Sequence, residues 1–350
     1  MSTYICSRQM KRILYTTAIL AIIVGGVLGF LAYSVIYKEN VRSNPNGFHE
    51  LYISTNWTYD SLKGGLQPLL INTQTFEKLA DRMNLRNKVI PGYYKIPYPM
   101  NNRNLIRKLR SGSFEEVKVL LRGSSNRPEI IRELSTKLQP DSTDLYKLIK
   151  DEKYLSGLGY TKENWPCMMM ANTYHFNWAI DAKGVFNRFV GEKKAFWNRD
   201  RTTLQASSGL TQNQVIILAS IVDAETMRTS ELERIAGVYL NRLQKNWPLQ
   251  ADPTIRFFVK SEGRQRVLNN DLKVDHPYNT YIRTGLPPGP ILLPSVKAVD
   301  AVLNAESHDF MFFCAKDDLS GYHLFTSSLS VHNANASRYH RALNLRNIMR

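Results

Sequence analysis

The sequence is poor in cysteine and in acidic residues, and each shortage narrows what the protein does. Only Cys6, Cys167 and Cys314 occur among 350 residues. They form no CxxC pair, so there is neither a disulfide framework nor a cysteine-built metal site. A Cys167–Cys314 disulfide would need an oxidising compartment, and the spacing gives it no support. Asp and Glu number 30 against 46 Lys and Arg, a formal net charge of +16. Such an excess predicts attraction to polyanions. Nucleic acid is not the expected partner. The basic residues are scattered, and no zinc-finger, helix-turn-helix or ribonucleoprotein motif accompanies them. An anionic membrane surface or an acidic polymer accounts for the charge instead. His323 and His332 resemble metal ligands, but no third ligand keeps ligand spacing with them. We therefore expect no metal and no cofactor.

Charge is also missing from Ile13 to Ile36, a run long enough to cross a bilayer. Arg8, Lys11 and Arg12 precede it. The positive-inside rule then places residues 1–12 in the cytoplasm and everything after Tyr37 outside. The alternative is a cleaved signal peptide, which usually has a shorter apolar region and an A-x-A site. The expectation is an uncleaved, single-pass membrane anchor over 13–36. A polar linker with Pro45 follows over 37–47, and the bulk of the chain is extracytoplasmic.

The rest reads as an α+β protein in two parts. Residues 48–112 give a strand at His49–Ile53, helices at Tyr59–Leu66 and Thr73–Met83, a second strand at Gly92–Tyr98 and a short helix at Asn104–Leu109. A β-α-α-β unit of this size is a binding module or a rigid spacer. Residues 113–350 are a larger mixed domain. It opens with a strand at Val117–Leu121 and a helix capped by Asn126, with Pro128 and Glu129 in its first turn. Another helix spans Ser142–Lys150, and Phe186–Trp197 marks a further one. Trp165–Lys183 reads as irregular. Its ANTYHFNW, with Tyr174, masses aromatics and amides that suit sugar recognition, or it plugs the core. Ser230 and Glu233 start another helix. LQADPT and HPYNTY read as polar loops, and GLPPGP is held extended by its prolines. Ser295–Asn304 is a helix, Phe310–Ala315 and His323–Thr326 are pairing strands, and Asn335–Leu345 is a last helix.

The stretch with the most chemistry is Thr211–Thr226, TQNQVIILASIVDAET. Thr211 and Gln214 make a capping box. Val215, Ile216, Ile217, Leu218, Ile221 and Val222 leave almost no polar face, so the helix is packed all round. Glu225 lies three, four and seven positions after Val222, Ile221 and Leu218, in line with the apolar stripe. Asp223 points to roughly the opposite side. Burial raises the pKa of a carboxyl group, and a carboxyl protonated near neutral pH suits a general acid. The bland alternative is an ion pair with Arg228 at i+3.

LASIVDAET, GVYLNRLQKNWPLQADPTIRFF, HPYNTYIRTGLPPGPI and HLFTSSLSVHN together resemble the endolytic murein transglycosylases, the MltG or YceG-like family. Two stretches depart from the family pattern. ANTY at Ala171 stands where a proline is more usual, and VLLRG at Val119–Gly123 replaces an IPEG-like segment. The resemblance implies a lyase that cuts peptidoglycan glycan strands from outside the inner membrane. It also implies that 48–112 is LysM-like and that peptidoglycan synthases are candidate partners. The family's catalytic glutamate falls on Glu225. The implied chemistry needs one carboxyl group, where ordinary glycosidases use two. Glu225 would protonate the oxygen between N-acetylmuramic acid and N-acetylglucosamine. It would then take a proton from the sugar's own 6-hydroxyl, giving a 1,6-anhydro end. Tyr174, Gln250, Asp252, Tyr278, Asn279 and Thr280 are the candidate sugar-binding residues. Asp252 has a second reading, as the residue that holds the LQADPT turn. A water-using muramidase with Asp252 as second carboxylate, and a non-catalytic wall-binding protein, are the competing classes.

Overall fold

In the computed structural model the described residues are 2–124, 126–259 and 267–346, with side chains from residue 14 onward. The side chains of the expected tail, 1–12, lie outside them. The chain divides into two compact units. One is Met1–Val117 with Phe176–Ile180, and the other is Lys118–His175 with Asp181–Arg350.

The first unit begins with helix α1 (Ser2–Ile36), followed by β1 (Phe48–Ile53), α2 (Tyr59–Leu66), α3 (Thr73–Arg82), β2 (Gly92–Pro97) and α4 (Asn102–Ser111). Leu14–Ile36 of α1 is long and apolar enough to cross a membrane. β1 and β2 pair antiparallel, with Tyr52 opposite Tyr93. Strand alternation decides the core. Leu51, Ile53, Tyr94 and Ile96 turn inward against Leu62, Phe76, Leu105 and Ile106, and all eight are buried.

The segment expected as a linker is bound into this unit. Asn40 is 4% exposed. Its amide donates to Asn72 O at 2.8 Å and Asn102 Oδ1 at 2.7 Å, and its Oδ1 accepts from Asn72 N at 2.7 Å. Val41 is wholly buried. Asn102 also donates to Val35 O at 2.9 Å, so the end of α1 is tied to the same asparagine cluster. Polar side chains here satisfy buried backbone groups across 30 or more positions. Local composition cannot display such bonds.

The second unit contains β3 (Glu116–Leu121) from Lys118 onward, α5 (Arg127–Lys137), α6 (Ser142–Lys150), α7 (Glu152–Gly157), β4 (Asn172–Asn177) as far as His175, α8 (Ala182–Phe196), α9 (Arg199–Ser208) and α10 (Gln212–Glu225). It continues with α11 (Leu232–Gln244), α12 (Asp252–Phe258), α13 (Val296–Leu303), β5 (Phe312–Ala315), β6 (His323–Thr326) and α14 (Leu329–Leu345). β3 pairs with β4, and β5 pairs antiparallel with β6. The whole is α+β, as the sequence implies.

Several local expectations change. ANTYHFNW is not irregular, because most of it forms β4. LQADPT is not all loop, since Asp252 opens α12. The Ser230–Glu233 box does not form. A 3-10 turn at Thr229–Glu231 leads into α11 with no side-chain cap, and the Glu231 carboxylate instead accepts from His323. α14 starts at Leu329, capped by Ser328, and not at Asn335. Cys167 and Cys314 are free thiols.

α10 is the axis of this unit. Thr211 accepts from Gln214 N while Gln214 accepts from Thr211 N, so the expected capping box is complete. Such a cap contributes about 1 kcal/mol. Val215 through Val222 are all buried, and α11, α12 and α13 pack against the helix. The GLPPGP stretch is pinned to it as well, where Ile291 N donates to Ser220 Oγ at 3.1 Å. Gly289 is required there, because a Cβ would collide with the Glu163 carbonyl and the Tyr278 hydroxyl.

Candidate active site

Glu225 is the last residue of α10. Thr226 turns extended, with φ −146°, so the helical i+3 relation to Arg228 is lost. Arg228 donates to Ser320 O at 2.6 Å and lies over the Tyr322 ring. It does not pair with Glu225, and the ion-pair alternative is removed. Asp223 faces away, as its position predicts. It accepts from Ser295 N at 2.8 Å and Ser295 Oγ at 3.1 Å, and so fixes the start of α13.

Glu225 opens onto a cavity of about 450 Å³. Its nearest partner is Tyr239 on α11, whose hydroxyl donates to Glu225 Oε1 at 2.5 Å. Periodicity places Tyr239 on the core face of α11, and it is 1% exposed. Its ring meets Phe313 edge-on, and its hydroxyl tip reaches the carboxyl group. Burial pushes Glu225 up from the usual carboxylate range to about 7. The Tyr239 hydrogen bond, Arg256 and Arg242 pull it down, while the charge of Asp252 pushes it up. Burial prevails, which leaves a carboxyl group able to hold a proton near neutral pH.

Two expected site residues share this cavity, Gln250 and Asp252. Gln250 holds a left-handed backbone, φ +49°, and its N–H donates to Thr280 O at 2.9 Å. Asp252 Oδ1 accepts from the Tyr281 hydroxyl at 2.5 Å. The remaining candidates serve the scaffold. Tyr174 is buried, and its hydroxyl is engaged by Met170 N and O. Asn279 is fully buried, donating to Leu272 O and Val274 O. Thr280 accepts from Ala251 N at 3.1 Å. The Tyr278 hydroxyl accepts from Arg127 at 3.0 Å. Thr280 and Asn279 therefore shape the loop that presents Gln250 and Tyr281, without lining the cavity themselves.

Arg242, His323 and His332 also line the cavity. Arg242 is 6% exposed and spends its donors on Met311 O and Leu249 O. His323 is oriented by Glu231, with Nδ1 2.9 Å from Oε2. His332 stacks on Phe312, and its Nδ1 has no hydrogen-bond partner among the described residues. Both histidines line this cavity. The sequence singles out both only as a metal pair lacking a third ligand, and both lie in the HLFTSSLSVHN stretch that resembles the family. Among the described residues no three His, Cys, Asp or Glu side chains converge as a metal site would require.

The profile of the YceG-like family matches residues 51–338. Over 127 residues the chain is 37% identical to an endolytic murein transglycosylase of Bacillus subtilis, covering 36% of this chain and 34% of that one. Over 281 residues it is 24% identical to an endolytic murein transglycosylase of Streptococcus pneumoniae, covering 71% of this chain and 50% of that one. The match thus spans half or less of each relative's length. A crystal structure of a yceG-like protein from Listeria monocytogenes shares the fold, with TM-score 0.53 at 22% identity, over 83% of this chain and 99% of that one. With the profile running from β1 into α14, the chain belongs to the YceG-like family.

Proposed function

We propose that this protein is a membrane-anchored lytic transglycosylase acting within the glycan strands of peptidoglycan. The observation that carries this reading is Glu225, a carboxyl group raised to about 7 at the mouth of a 450 Å³ cavity. The naming of the two bacterial relatives supports the substrate class. Protonated Glu225 gives its proton to the glycosidic oxygen as the bond to N-acetylmuramic acid C1 breaks. The 6-hydroxyl oxygen of the same sugar then bonds to C1 and returns its proton to Glu225. No water is consumed. General acid–base help of this kind contributes roughly 10²–10⁴-fold.

The anchor would be α1, with its N-terminus inside and residues from Lys38 outside. Residues 48–112 would be a LysM-like glycan-binding module, in keeping with their β-α-α-β order, and 113–350 the catalytic domain. The test is digestion of purified glycan strands by the full chain in detergent, followed by mass spectrometry of the products. Anhydro ends are lighter by one water than reducing ends. Products carrying only reducing ends would overturn the reading.

A second reading, a muramidase, has one observation in its favour. Asp252 lines the same cavity as Glu225, and hydrolysis needs a second carboxylate. The same digestion separates the two.

A further inference from the structure

We propose that Tyr239 is a positioning residue that holds Oε1 of Glu225 and so assigns the transferable proton to Oε2. The inference rests on the lytic reading above and adds to it the choice of oxygen. A carboxyl group has two chemically equal oxygens, and a single-acid mechanism needs one of them committed to the substrate. Here the two are unequal. Oε1 is 2.5 Å from the Tyr239 hydroxyl, while Oε2 has no partner among the described residues. Glu225 itself lines the cavity.

The hydrogen bond runs from the phenol to the carboxyl group. Tyr239 is buried, and its pKa is driven well up by burial and by the charge of Glu225. The phenol therefore keeps its hydrogen at any working pH, and Oε1 is the acceptor for it. A proton on Oε1 would compete with that hydrogen, whereas a proton on Oε2 does not. The phenol is held from both sides. Its ring is packed edge-on against Phe313 at 5.9 Å, and α11 is packed on α10. The other charged and titratable groups around the pair are Arg242 on α11, Asp252 and Arg256 on α12, and Tyr281. Among the described residues none of them hydrogen-bonds either Glu225 oxygen: Arg242 donates to Met311 O and Leu249 O, and Tyr281 to Asp252.

The reaction then runs through one oxygen. The proton on Oε2 passes to the leaving oxygen as the glycosidic bond breaks, and the carboxylate formed is stabilised by the Tyr239 hydrogen bond at Oε1. As C1–O6 forms, the 6-hydroxyl proton returns to Oε2. The same hydrogen bond favours the ionised carboxyl, so its loss must raise the midpoint at which Glu225 ionises. If Glu225 instead donated from Oε1 to the phenol oxygen, loss of the phenol would lower it.

The test titrates Glu225 in the full chain in detergent micelles. The readout is the infrared C=O band of its protonated carboxyl, assigned by its disappearance in Glu225→Gln. Tyr239→Phe keeps the ring against Phe313 and is expected to move the midpoint upward. Replacement of Tyr239 by 3-fluorotyrosine, a stronger donor, is expected to move it downward and covers the case in which Tyr239→Phe folds poorly. In activity, Tyr239→Phe should lose roughly tenfold in kcat with KM unchanged, because the bond strengthens when charge develops. Its rate should also fall off at higher pH than that of the parent. A midpoint that stays in place or moves down in Tyr239→Phe overturns the proposal. The titration reads the pair whether or not anhydro ends form. Failure of the lytic reading would show separately, as reducing ends from the parent enzyme.

Discussion

The hydroxyl of Tyr281 donates to Oδ1 of Asp252 at 2.5 Å, across 29 positions of sequence. Asp252 shares the cavity of Glu225, and its charge raises the Glu225 pKa. The pairing turns the choice between a lytic and a hydrolytic enzyme into a question about one side chain. Asp252→Asn keeps an acceptor for Tyr281 and removes the charge. In a lytic enzyme this variant should keep activity to within about tenfold and still release anhydro ends. Its activity should also start to fall at lower pH, since a charge that raised Glu225 is gone. A loss of roughly 10²–10⁴-fold would instead make Asp252 the base of a hydrolase.

Asp223 tests the helical-face argument. Its carboxylate accepts both bonds from Ser295, away from the cavity. Asp223→Asn is expected to cost about 1–2 kcal/mol of stability through weakened bonds to the start of α13. Activity per folded molecule should be retained. Thermal melting and specific activity, measured on the same preparation, separate the two effects. A variant that melts normally and is inactive would contradict the placement of Asp223.

What the sequence shows well is what local rules govern. The Thr211–Gln214 box, the all-round burial of α10 and the line from Leu218 to Glu225 are one-helix properties, and all are present. The partners of Glu225 are a different matter. Period 3.6 puts Tyr239 on a buried face, but it does not say what lies beyond the ring, and a hydroxyl tip reaching another helix leaves no periodic trace. Arg228 misled for a related reason. Its i+3 relation assumes that the helix continues, and the chain leaves the helix at Thr226. Tyr278, Asn279 and Thr280 look like ligands because they are polar residues in a loop. Asn279 is used by the backbone of its own loop, Thr280 by Ala251 N, and the Tyr278 hydroxyl by Arg127.

The asparagine cluster at the end of α1 predicts a mechanical link. Asn40→Ala removes the bonds to Asn72 and Asn102 and leaves buried polar groups unpaired. Each such group costs about 1–3 kcal/mol, so the first unit should melt several degrees earlier. Limited proteolysis near residues 37–47 should accelerate in step. A flexible linker would show neither change.

The last prediction concerns pH and Glu225. Its pKa is raised from 4.5 to about 7, chiefly by burial. The folded protein therefore holds this proton more tightly than the unfolded chain does. The group favours folding fully below about 4.5, and that contribution is lost as pH rises toward 7. Above 7 the folded state carries a buried charge at a cost of the order of 3 kcal/mol, less whatever the cavity solvates. Glu225→Gln cannot ionise, and its amide oxygen still accepts from Tyr239. The variant should thus melt at higher temperature than the parent at pH 8, and the gap should close at pH 4. Catalysis should move the opposite way. The parent's activity should decline above about pH 7 as the acid is lost, and Glu225→Gln should lose roughly 10²–10⁴-fold or more at every pH. Glu225→Asp should also be poor, because one methylene withdraws the carboxyl group from Tyr239. A melting gap of equal size at pH 4 and pH 8 would mean that Glu225 is not held protonated. The general-acid role would then have no physical basis.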